Sequence, residues 1–102
     1  MSKYIHGERQ KAAIIQAGID LWHEGGAGAV TARAIGLKVG RSHAGVLFHF
    51  PAGVDDLKWQ IKCEAISRGD AKIIPQLITA GDPVVAHFTT EQRTAWLNAA
   101  AG

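Results

Sequence analysis

The sequence predicts an all-α chain: a three-helix unit containing a helix-turn-helix, followed by two or three short helices. Three observations carry that expectation. Apolar residues recur at helical spacing through the first quarter of the chain, and glycines followed by threonine or serine cut the next quarter into short segments. No stretch alternates apolar and polar residues as a half-buried strand would. At 102 residues and 47% hydrophobic content the chain is large and apolar enough for one packed domain. Its apolar runs, such as Ala12 to Ile15, fall far short of the roughly 18 residues that cross a bilayer, so no membrane partner is expected. A lone cysteine, Cys63, rules out an internal disulfide framework and suits a reducing, cytoplasmic setting.

The first helix is expected from about Gly7 to Glu24. Ile14, Gly18 and Leu21 share one face, and Ile15, Ile19 and Trp22 repeat the spacing one residue on, while Arg9, Gln10, Gln16, Asp20 and Glu24 point elsewhere. Gly18 costs the helix roughly 1 kcal/mol against alanine, which is best explained by a second helix crossing closely there. Gly25-Gly26 is its stop. Thr31 is a good N-cap for a second helix, Ala32 to Val39, which Gly40 ends. Ser42 caps a third helix from His43 to about His49, with Pro51 forbidding its continuation. Ile35, Val39 and Val46 are expected to close the small core between these helices, and Gly36 marks a point too tight for a side chain.

A fourth helix should begin near Val54 or Asp55, where Asp55 and Asp56 complement the positive helix terminus. A fifth, within Ala71 to Ala80, contains Pro75 and is therefore kinked or starts late; a last one opens at Thr90. Residues 1–53 thus read as the helix-turn-helix domain and residues 54–102 as a short helical dimerisation region, the two forming one compact unit.

Charge is unevenly placed. Residues 1–50 carry six basic groups against three acidic ones, and residues 51–102 carry five against six. Four of the five histidines, His6, His23, His43 and His49, also lie in the first half. A mildly basic half suits a face that meets an anion, with nucleic acid the usual candidate.

The stretch Thr31-Ala-Arg-Ala-Ile-Gly-Leu-Lys-Val-Gly40-Arg-Ser42, followed by Val46 and His49-Phe50, resembles the DNA-binding domain of tetracycline-repressor (TetR) family regulators. Ala12 to Gly18, Leu21-Trp22 and Glu24-Gly25 resemble that family's first helix, and Asp55-Asp56-Leu57 the start of its fourth, so the TetR-like likeness covers about residues 9–57. It implies a recognition helix that enters the major groove with its N-terminal residues on base edges. His43 and Gly45 would then face bases, with Ala44 near a thymine methyl and Phe48 on the same outer side. Arg33 would contact a phosphate or a base, Ser42 and His49 would contact phosphates, and Thr31, Lys38 and Arg41 complete the implied DNA-binding set.

Three positions depart from the family pattern. Leu47 stands where a phosphate-binding tyrosine is usual, Pro51-Ala52-Gly53 offers no lysine, and Arg41 replaces a small apolar residue. Arg41 can supply one of the phosphate contacts so lost. Only about 45 residues follow Leu57, too few to enclose a drug-sized pocket of roughly 300–1,000 Å³, so no small-molecule effector is expected.

No Ser/His/Asp set, phosphate loop or paired carboxylate stands out, and enzyme activity is not expected. His43 and His49 lack the spacing of metal ligands, so neither a metal nor another cofactor is implied. The expectation is a sequence-specific DNA-binding regulator, a repressor, acting on double-stranded DNA as a homodimer. The alternative is a protein-interaction module that reuses the helix-turn-helix. Trp59, Ile66, Ile74, Leu77, Phe88, Trp96 and Leu97 are the candidate dimer-interface residues, because the second half is richer in apolar groups than one helical layer needs. A monomer that folds Trp96 and Leu97 back onto its own core is the other outcome.

Overall fold

A computed structural model describes residues 2–101, with side chains from Gly7 onward; the side chains of Lys3 and His6 lie outside the described residues. The fold is all-helical. Among the described residues six α-helices follow in order: α1 (Ser2–Gly25), α2 (Ala32–Val39), α3 (His43–Leu47), α4 (Val54–Ser67), α5 (Ile73–Thr79) and α6 (Thr90–Ala101). Single 3-10 turns occupy Ala27–Ala29 and Pro83–Val85. None of the described helices is long and apolar enough to cross a membrane.

The chain divides into two compact units, Met1–Ile61 and Lys62–Gly102, where one was expected. The division falls inside α4 and not at Gly53. Leu57 and Ile61, on the first turns of α4, are completely buried with the rest of the first unit's core. That core takes Ile14, Ala17, Ile19 and Trp22 from α1, Ile35 from α2, and Val46 and Phe50 from α3 and the turn after it. Gly18 is explained by a close crossing: a Cβ there would overlap the Ile61 side chain.

Each end of α2 is fixed by the residue that the sequence nominates. The Thr31 hydroxyl accepts from the Ala34 amide at 3.1 Å, and Gly40 takes the left-handed conformation (φ 71°, ψ 38°). The chain then folds back so tightly that the Arg41 amide donates to the Gly36 carbonyl at 2.8 Å. A Cβ on Gly36 would collide with the Arg41 carbonyl oxygen, so only glycine permits this turn. Ser42 caps α3 by accepting from the Gly45 amide at 3.0 Å. The helix ends at Leu47, earlier than expected, and turns at His49 and Phe50 carry the chain into Pro51. Val39 is another difference. It is half-buried and lines a surface cleft, where a core position was expected.

The second unit is built from short elements held by polar side chains. Asp70 accepts from the amides of Lys72 (3.0 Å) and Ile73 (2.9 Å), which starts α5 late and leaves Pro75 in its first turn, where no amide is needed. Ala65, Ile73, Ile74, Pro75, Leu77, Ile78, Val84 and Val85 form this unit's buried apolar set. α6 opens at Thr90, as expected, and Thr89 caps it: Gln92 N–H donates to the Thr89 hydroxyl (3.1 Å) and the Gln92 side chain accepts from the Thr89 amide (2.8 Å), a reciprocal capping box. Arg93 donates to the carbonyls of Val85 (3.0 Å) and Phe88 (3.2 Å). Lys62 pairs with Asp82 at 2.6 Å, and Asp82 also accepts from the Val84 amide. Partial burial disfavours the Asp82 carboxylate, but the Lys62 ammonium and the Val84 amide outweigh it and hold the group below its ordinary range.

Candidate nucleic-acid interface

The candidate residues gather on α2, α3 and the turn between them. Two residues cap helices with their hydroxyls, Thr31 for α2 and Ser42 for α3, and both remain exposed. Arg33, Arg41, His43 and Ala44 are exposed, and His49 is half-buried. Phe48 is 80% exposed and meets the His49 ring edge-on, with centroids 5.4 Å apart. The exposed cations thus lie at both ends of α2, Arg33 in its first turn and Arg41 just after Gly40.

Two assigned residues behave differently from expectation. Lys38 is committed to Glu24: its ammonium donates to the carboxylate at 2.7 Å, a hydrogen bond that raises its pKa above the ordinary value. The ion pair spans α1 and α2, so Lys38 ties the two helices together instead of standing free for a phosphate. Gly45 is half-buried, and a Cβ there would lie 3.2 Å from the Ser42 hydroxyl and 3.5 Å from the Arg41 Cβ. Its side-chain direction runs toward the turn. Gly45 thus lets the cap close, and the base contact implied by the resemblance is left to His43 and Ala44.

The structure adds two cations outside the expected set, Arg9 and Lys11. Arg9 and Arg41 line one cleft of about 270 Å³ together with Gln10, Ala13, Ile14 and Val39. Neither guanidinium forms an ion pair among the described residues. Lys11, two residues along α1, places its ammonium 5.2 Å from the centre of the Phe50 ring. Arg9 sits off the apolar stripe of α1, which was the only signal available for it. Its nearness to Arg41 comes from the packing of α1 on the α2–α3 pair, which no spacing along the chain encodes.

The proposed dimer residues separate into three groups by exposure. Ile74 and Leu77 are 1% and 2% exposed within the second unit, so they serve its own core and are corrected from the interface set. Ile66, Phe88 and Trp96 are half-buried, whereas Trp59 and Leu97 are 45% and 39% exposed. Cys63 is exposed on α4, and desolvation pushes its thiol pKa up, which favours the unreactive protonated form. Among the described residues no three histidine, cysteine or acidic side chains come together as metal ligands would.

Compared with protein-family models, curated proteins and solved structures, the chain gives no match in any of the three.

Proposed function

We propose that the chain is a sequence-specific DNA-binding transcriptional regulator, a repressor that reads a palindromic operator in the cytoplasm as a homodimer. The observation that supports this reading most is the outer surface of the α2–α3 pair. It exposes Arg33, Arg41, Ser42, His43 and Ala44 on two short helices and the capped glycine turn that joins them, and neither guanidinium is neutralised by a carboxylate among the described residues. An exposed short helix flanked by unpaired cations fits a major groove: the cations meet phosphates while His43 and Ala44 reach base edges. The likeness of residues 9–57 to the tetracycline-repressor family points the same way.

A single recognition helix contacts too few bases for a unique site, and a two-fold dimer doubles the reading. Of the candidate dimer residues, Trp59 in the first unit and Leu97 in the second are each exposed and available to a partner. Selection of bound duplexes from a random DNA pool tests the proposal. A two-fold-symmetric motif should be enriched, with affinity falling steeply as salt rises. A pool that stays random, with no salt-dependent binding, rejects it.

One observation favours a second reading. Leu37 on α2 and Phe48 just after α3 are 81% and 80% exposed, so two large apolar side chains stand in the same segment of the chain as the cations. A protein-interaction module would use them. Its binding would be nearly indifferent to salt and would be lost in Phe48→Ala, while Arg33→Ala would have little effect.

A further inference from the structure

We infer that the cleft between α1 and the α2–α3 turn is an oxyanion site in which Arg9 and Arg41 together hold one phosphate group. The inference rests on the DNA-binding reading for its source, the sugar-phosphate backbone, and carries that reading onto α1. Most other cations of the first unit's described side chains are engaged or lie elsewhere. Lys38 is held by Glu24 and Lys11 lies over the Phe50 ring. Arg9 and Arg41 differ in lining one concavity from two separate elements, with no carboxylate partner among the described residues. Two like charges held at one cleft repel each other unless an anion lies between them.

Chemistry and size select the ligand. A guanidinium presents a planar fork of donors that matches the oxygens of a phosphate, and two forks can satisfy a single phosphodiester from both sides. The rest of the lining suits the adjoining sugar: Ala13, Ile14 and Val39 give an apolar floor, and the Gln10 side chain adds a polar group. At about 270 Å³ the cleft lies below the roughly 300–1,000 Å³ of pockets that enclose drug-sized ligands. A phosphate with its sugar fits that space, and the rest of the nucleic acid continues past the opening. The same turn that seats Arg41 also starts α3, so a phosphate bound here would fix the register of the recognition helix on its groove.

Two measurements on the full chain test this and keep it separable from the regulator reading. The first is the salt dependence of binding to a 20-base-pair duplex for the wild type, Arg9→Gln, Arg41→Gln and the double variant, with Arg68→Gln in the second unit as control. The double variant should lower the slope of log affinity against log salt by about one, the value for a single phosphate, and the control should not change it. A loss of about two would mean two separate phosphates, and an unchanged slope would mean none; either result overturns the shared site while leaving DNA binding intact. The second is a titration with inorganic phosphate, followed by the side-chain Nε–H signals of both arginines. Both should shift with one midpoint, and the Arg41 response should vanish in Arg9→Gln. Signals that stay still, or an Arg41 shift that survives in Arg9→Gln, overturn the site. Should the wild type bind no duplex, the regulator reading and the backbone source fall together, and a common phosphate midpoint would then assign the cleft to a free phosphate.

Discussion

The two units treat their polar groups in opposite ways. In Lys62–Gly102 several functional groups point back at the chain: Asp70 opens α5, the Thr89–Gln92 pair caps α6, Lys62 and Asp82 pair, and Arg93 donates to two carbonyls. In Met1–Ile61 the two hydroxyl caps and the Glu24–Lys38 pair do similar work, yet Arg9, Arg33 and Arg41 are exposed with no carboxylate partner among the described residues. The difference teaches where to look for a partner. A cation already held by the chain stabilises it, whereas cations left unpaired on a well-anchored scaffold are available to an external anion.

The comparison can be broken first at the turn that presents the unpaired cations. Gly36→Ala should cost about 2–3 kcal/mol in urea unfolding despite alanine's better helix propensity, because the new Cβ meets the Arg41 backbone carbonyl and the helix pair must open. A variant as stable as the wild type would show that the turn is not the constraint holding Arg41 in place. In the second unit, Lys62→Met should cost about 1–2 kcal/mol by leaving the largely buried Asp82 carboxylate without its cation. The sign with pH is fixed by the lowered pKa of Asp82. Its contribution is fully present above the unfolded value of about 4 and is lost as pH falls through the folded one, so wild type and variant should converge under acid. A gap that persists there would place the effect in packing and not in the ion pair.

Smaller changes sharpen the contrast. Asp70→Ala removes the acceptor for the first amides of α5 and should lower stability by about 1 kcal/mol, seen as faster hydrogen exchange at Lys72 and Ile73. Arg33→Ala should have the smallest effect on folding, within about 0.5 kcal/mol, because the side chain is exposed and in no ion pair. Its DNA affinity should nevertheless fall, with the salt slope reduced by about one. A clear loss of stability with unchanged binding would move Arg33 into the same class as Arg93.

Much of the first unit is legible along the chain, since helix punctuation is local chemistry. Thr31, Gly40 and Ser42 act within three or four residues of where they stand, and each does what its type suggests. Local patterns failed where a helix is cut short, as α3 is at Leu47. Apolar content misled for Ile74 and Leu77, because periodicity marks a residue as apolar-facing without saying whether its own unit or a second copy covers it.

The sequence by itself determined the all-helical class, the caps of α2 and α3, the stop of α2, and the need for glycine at positions 18 and 36. These follow from backbone geometry and hydrogen bonds that span a few residues. Only the tertiary structure decided which cations remain unpaired. Lys38 meets Glu24 fourteen positions away, Lys62 meets Asp82 twenty positions away, and Arg9 shares a cleft with Arg41. Charge pairing depends on distance in space, and the sequence carries that distance only through the packing of whole helices.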